Sequence, residues 1–268
     1  MIIGGEIAKM PEVSPEMNQQ KTRKIPAKPA SSTSWLYRSI AGLLGKKVKS
    51  PPAPTPAAKG GKSRPLAPTK AETSLLRPFS GLSPDRIHVP KTKAECEAAA
   101  REILAAGVAG FDTEAKPTFR AGETSGGPHV VQFALTDKAF IFQLHRRDCL
   151  KVVASLIESG QVLKVGFGLK NDHGQIRNRL GVKPGAVLDL DHIFRKRGYP
   201  RQIGVRAAMG AVLQLSFPKS KSITTSNWAL PELTARQLCY AANDAFAALK
   251  IMEALDLQPH EITGTRPR

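Results

Sequence analysis

Ala-Gly-Phe-Asp-Thr-Glu, residues 109–114, decides the fold. Val108 to Thr113 reads as a strand, and side chains on a strand alternate faces with period two. Asp112 and Glu114 therefore point to the same side of a sheet. Acids are almost never fully buried unless something pairs with them. Two carboxylates side by side in an apolar stretch would repel each other and hold protons near neutral pH. Divalent cations remove that problem.

Two later segments carry matching chemistry. Val-Gly-Phe-Gly-Leu-Lys-Asn-Asp (165–172) ends on Asp172. Asp172 stands at the start of a helix, where the helix dipole favours an acid, so simple capping is the competing reading. Tyr-Ala-Ala-Asn-Asp (240–244) places Tyr240 and Asp244 four apart within a helix, on one face and one turn apart. Thr234-Ala235-Arg236-Gln237 offers a capping box for that helix. Singly, Tyr240 reads as a core aromatic and Asp244 as a surface acid. Together with the other acids they read as a metal site, with a hydroxyl beside it. A tyrosine of ordinary pKa near 10 is a poor general base. It suits orienting an attacking water, from which Glu114 can also accept.

Around these segments the periodicity gives an ordered set of elements. Ile87-His88-Val89 is a short strand. Thr92-Lys93-Ala94-Glu95 is a capping box that opens a helix to about Ala106. Residues 130–136 and 139–144 form a hairpin turned at Asp137-Lys138. A helix over 148–159 precedes a buried strand at Val162 to Gly166. Asp172 to Leu180 is a helix stopped by Gly181. Val187 to Leu190 is a strand, and 203–215 and 231–255 are helices. Antiparallel strands followed by strands alternating with helices predict one α/β domain, a mixed sheet of five to six strands flanked by helices.

Taken together, these segments resemble the three exonuclease motifs of the DEDD superfamily, in its tyrosine-bearing branch, which includes RNase D and the Werner syndrome exonuclease domain. Phe-Asp-Thr-Glu (111–114), Lys-Asn-Asp (170–172) and Tyr-x-x-x-Asp (240–244) carry the likeness. Val-Leu-Asp-Leu (187–190) and Lys-Ser-Ile-Thr-Thr-Ser-Asn-Trp (221–228) flank it, over about residues 87–256. The resemblance implies an RNase H-like fold and 3′→5′ hydrolysis of DNA or RNA to nucleoside 5′-monophosphates. It implies two Mg²⁺ or Mn²⁺ ions, with Asp112 bridging both. Glu114 and Asp244 would hold the water-activating ion, Asp172 would support the second, and Tyr240 would position the nucleophile. No counterpart of the helical nucleic-acid-binding domains of RNase D, and no helicase region, is expected within these 268 residues.

Composition fits a polyanion partner. The 268 residues carry a formal net charge of +18 and a pI near 10.1. Residues 1–86, rich in Pro, Lys and Ala, read as a disordered basic tail able to dock a protein partner. Within it, residues 35–44 could form a short amphipathic helix and 51–56 an extended run. Residues 87–260 are expected as the catalytic domain and 261–268 as a short tail. Arg177, Arg206, Lys219 and Lys221 are candidates to touch phosphates, with solvated surface charge as the plainer alternative. Lys116 and Arg120 lie in a polar loop. His173 is read as structural, and His129, His145 and His192 lack ligand spacing. Trp228 reads as core, and Phe167 and Leu169 as alternating into the sheet. Cys96, Cys149 and Cys239 lack a CxxC pair and are odd in number. That argues against a disulfide framework and for a reducing, intracellular compartment, cytoplasmic in a bacterium, with a nuclear one open. No apolar run is long enough to span a membrane. The competing class is a nucleic-acid-binding adaptor, catalytically weak, on the same fold.

Overall fold

A computed structural model describes residues 64–118, 126–258 and 261–262, with only the backbone of Asn171. The expected helix at 35–44, the extended run at 51–56, Arg120 and most of the C-terminal tail lie outside the described residues.

The sheet holds six strands: β2 (Ile87–His88), β3 (Val108–Glu114), β4 (Val130–Ala134), β5 (Ala139–Gln143), β6 (Leu163–Gly166) and β7 (Val187–Asp189). Their order across the sheet is β2-β5-β4-β3-β6-β7. The hairpin pairs are antiparallel, while β2–β5, β3–β6 and β6–β7 are parallel. The expected mixed sheet is therefore present.

β1 (Arg77–Pro78) and α1 (Lys70–Ser74) precede the sheet. The expected start of order at Ile87 is thus too late. Thr69 caps α1 through a full capping box, and β1 pairs in parallel with β8 (Leu215–Ser216). Thr73 of α1 is buried, and Phe79 packs against Phe217 and Phe246. The prolines that made this stretch read as tail stand at the ends of short elements, Pro78 closing β1 and Pro84 opening a 3-10 turn.

The remaining helices are α2 (Lys93–Ala106), α3 (Arg147–Glu158), α4 (Lys170–Leu180), α5 (Leu190–Lys196), α6 (Val205–Leu213), α7 (Lys221–Thr224) and α8 (Ala235–Ala254). Both predicted capping boxes form, at Thr92 and Thr234. The second one sets the start of α8 at Ala235 instead of 231. Gly181 ends α4 with φ 73°. α5 was not expected; Asp189 caps it by accepting from the Asp191 N–H.

Alternation along β3 divides the core. Ala109 and Phe111 join Cys96, Ile103, Val153 and Leu156 of α2 and α3 on one face. Val108 faces the other side with β6, β7, α5, α6 and α8. On that side a Cβ at Gly110 would run into the carbonyl oxygen of Ala245. Only glycine lets the α8 backbone lie this close to β3.

Three features depart from expectation or were not foreseen. Cys96 and Cys149 form a disulfide with Cα atoms 5.8 Å apart, where three separate thiols were expected. They are 53 residues apart in sequence, and only the side-by-side packing of α2 and α3 brings them together. Lys164 on β6 is wholly buried and donates to the carbonyls of Ser159 (2.8 Å), Val162 (3.0 Å) and Leu156 (3.4 Å). It closes the C-terminal end of α3, and burial pulls its pKa down to about 7. The expected tail from 261 begins with packed residues: Arg197 binds Glu261 at 3.1 Å, and Ile262 lies on the core.

Candidate active site

The site forms where β3 meets α8. Asp112 and Glu114 share one face of β3, as period two requires. α8 runs across that face and brings Asp244 to them. Ligand oxygens of Asp112, Glu114 and Asp244 all lie within 4.8 Å of one another. Asp244 is almost fully buried, and its Oδ1 has no hydrogen-bond partner among the described residues. A buried carboxylate oxygen without a donor, beside two more acids, fits a hard divalent cation.

Asp172 enters from the first turn of α4. It accepts a 3.0 Å hydrogen bond from the Thr113 hydroxyl, which ties it to the strand between Asp112 and Glu114. It therefore does more than cap its helix. Tyr240 lies one turn before Asp244, packs against Trp228, and shares a 2.9 Å hydrogen bond with Thr224 Oγ1. Trp228 is core, as expected, and its Nε1 donates to the Thr224 carbonyl at 3.3 Å.

Electrostatics match a cradle suited to cations. Burial, then the charges of Asp244 and Asp172, push the Asp112 carboxyl well above its usual range. Burial, with Asp112 and Asp244, pushes Glu114 up to about 9. Burial pushes Asp172 up to about 6, against the Thr113 hydrogen bond. Asp244 is raised by burial even though Lys219 and Tyr240 pull it down. Tyr240 is raised by burial and by Asp244, so its hydroxyl keeps its proton at neutral pH.

Of the four candidate phosphate contacts, the structure brings Lys219 into the site, where its Nζ lies 2.8 Å from Asp244 Oδ2. Arg177 and Lys221 are exposed and Arg206 half-buried; none has a contact with the acids among the described residues. His129 Nδ1 accepts from the Lys116 N–H at 3.1 Å, and the imidazole is not part of the acid cluster. His173 is half-buried and stands outside the acid cluster. Leu169 enters the core as expected, but Phe167 is only partly buried and lines an open cleft. That cleft of about 240 Å³ runs from Asp112, Asp244 and Lys219 to Gln202, Gly204 and Phe167. Gln132, the cross-strand neighbour of Asp112, was not foreseen; it is fully buried, and neither amide atom has a partner among the described residues. A lone glutamine in Val-Val-Gln-Phe-Ala was its only signal.

Residues 87–258 match the sequence profile of the family described as 3'-5' exonuclease. The chain belongs to this family. The exonuclease is 25% identical over 213 residues to a 3'-5' exonuclease of Arabidopsis thaliana, covering 75% of this chain and 73% of that one. It is 28% identical over 151 residues to the mouse bifunctional 3'-5' exonuclease/ATP-dependent helicase WRN, spanning 55% of this chain and 11% of that protein. Among solved structures, the Nibbler EXO domain of Aedes aegypti superposes with TM-score 0.58 at 23% identity, over 68% of this chain and 96% of that one. RNase D of Trypanosoma brucei gives TM-score 0.58 at 24% identity, over 64% and 65%. These likenesses show the RNase H-like fold. The exonuclease is a divalent-metal-dependent phosphodiester hydrolase acting on nucleic acid.

Proposed function

We propose that this exonuclease removes nucleoside 5′-monophosphates one at a time from the 3′ end of a DNA or RNA strand, using two Mg²⁺ or Mn²⁺ ions. The observation that carries this reading is the Asp112–Glu114–Asp244 cluster with a bare buried oxygen, next to a protonated tyrosine. Two bound cations would supply charge on the phosphate and hold the attacking and leaving oxygens of an in-line displacement. Asp112 would be shared between them. Glu114 and Asp244 would serve one and Asp172 the other.

The chain's own residues do the rest. Tyr240 keeps its proton, so it orients the water by hydrogen bonding instead of taking a proton from it. Glu114 accepts from the same water. The water oxygen bonds to phosphorus, the bond to the 3′-oxygen breaks, and that oxygen leaves with a proton on the shortened strand. The cleft between Phe167, Gln202 and Gly204 admits the terminal nucleotide. Arg177, Arg206, Lys221 and the basic residues 1–63 add phosphate affinity.

The test uses a 5′-labelled single strand, DNA and RNA in parallel, with Mg²⁺ or Mn²⁺. A ladder shortening from the 3′ end is expected, lost with EDTA and lost by at least about a hundredfold in Asp112→Ala at unchanged fold. A ladder of undiminished rate from Asp112→Ala would refute the assigned site. No shortening of any substrate would leave the adaptor reading standing.

A further inference from the structure

Lys219 bears on how the cradle is filled. Three carboxylates crowd within 4.8 Å, and the Lys219 ammonium reaches into them. It takes Asp244 Oδ2 at 2.8 Å and leaves Oδ1 bare. The same Nζ lies 5.8 Å from the centre of the Tyr240 ring. Lys219 follows β8 on a short loop, and about a third of its side-chain surface is open to solvent. The ammonium therefore has a way out along the cleft it lines.

We propose that Lys219 is the resident counter-ion of the carboxylate cradle, which an incoming divalent cation displaces from Asp244. This rests on the metal-dependent reading above. The site then never presents its full negative charge to the protein interior. Each metal-binding event exchanges a tethered monocation for a free dication. Lysine suits the part because its ammonium is a compact point charge on a flexible stem, not a rigid fork that would lock onto the carboxylate. Once released, the ammonium stands beside the cleft through which a phosphate must pass. Lys219 is on this view a positioning residue that sets how readily metal enters.

The decisive measurement is Mn²⁺ binding to the full chain without nucleic acid, by calorimetry. Lys219→Met should bind Mn²⁺ at least roughly tenfold more tightly, since a unit charge a few ångströms from the ion is removed. Lys221→Met makes the same change in net charge two residues away and should stay within about twofold. Unchanged or weaker binding in Lys219→Met, or equal gains in both variants, would overturn the proposal. Should Lys219→Met fail to fold, acetylation of the wild-type chain followed by mass spectrometry decides. Mn²⁺ should speed modification of Lys219 and not of Lys221; no change at Lys219 would again overturn it. Absence of any Mn²⁺ binding by the wild type would instead remove the metal reading itself, and the proposal with it.

Discussion

Glu114 carries the clearest pH signature in the molecule. Its folded pKa of about 9 lies above the ordinary 4.5, so the metal-free fold holds a proton that the unfolded chain releases. Its contribution to stability is complete below about pH 4.5 and is lost as pH rises through about 9. Asp172, raised to about 6, works in the same direction at lower pH. Metal entry must strip these protons, so metal affinity climbs over the same window. Thermal melts in EDTA from about pH 5 to 9 should show a falling Tm that saturating Mg²⁺ flattens. Glu114→Gln should lose much of that slope; a slope equal to the wild type would refute the assignment. The acids were legible in the sequence because carboxylates in apolar segments demand a reason. Lys219 was only one of four candidate contacts, because Pro-Lys-Ser-Lys-Ser offers two lysines and tertiary packing alone selects one. Lys164 gave no warning, since a lysine between Leu163 and Val165 reads equally as an outward-facing strand residue.

At the scale of elements, strands, helices and their caps followed from periodicity and short capping signatures. The stretch before Ile87 did not. Its elements are too short to show a period, and they are held in place against β8, α6 and α8. They matter for the site nonetheless. The Leu82 N–H donates to Asn243 Oδ1 at 2.8 Å, next to Asp244, and β1 pins β8, which ends three residues before Lys219. A chain beginning at residue 87 should therefore melt lower and lose most metal-dependent turnover, whereas one beginning at 64 should keep both. Equal activity of the two would show that the strap is dispensable. Gly110 offers a second lever. Gly110→Ala must push α8 away from β3, costing about 1–3 kcal/mol by analogy with overpacked cores. Because the displaced helix carries Asp244, activity should fall further than that loss of stability explains, measured at a temperature where the variant is fully folded.

Across the whole molecule, charge is the property that the sequence states most plainly. Residues 1–63 hold 11 Lys/Arg against 3 Asp/Glu, a net of +8 out of +18. Single-strand affinity should fall with salt, and removing residues 1–63 should make the log–log slope shallower while turnover on short oligonucleotides persists. An unchanged slope would assign the phosphate contacts to the catalytic domain alone. The disulfide between Cys96 and Cys149 was hidden by the same cause as the strap: residues distant in sequence meet only after the sheet has stacked its helices.

The site's division between β3 and α8 also orders events in time. Asp112 and Glu114 are made before Asp244, which arrives only after all six strands of the sheet. A partly synthesised chain that stops short of Asp244 holds Asp112, Glu114 and Asp172 but no complete cradle, so the site is not yet assembled. Hydrolytic competence in this sense waits for α8, the helix that brings Asp244 to β3.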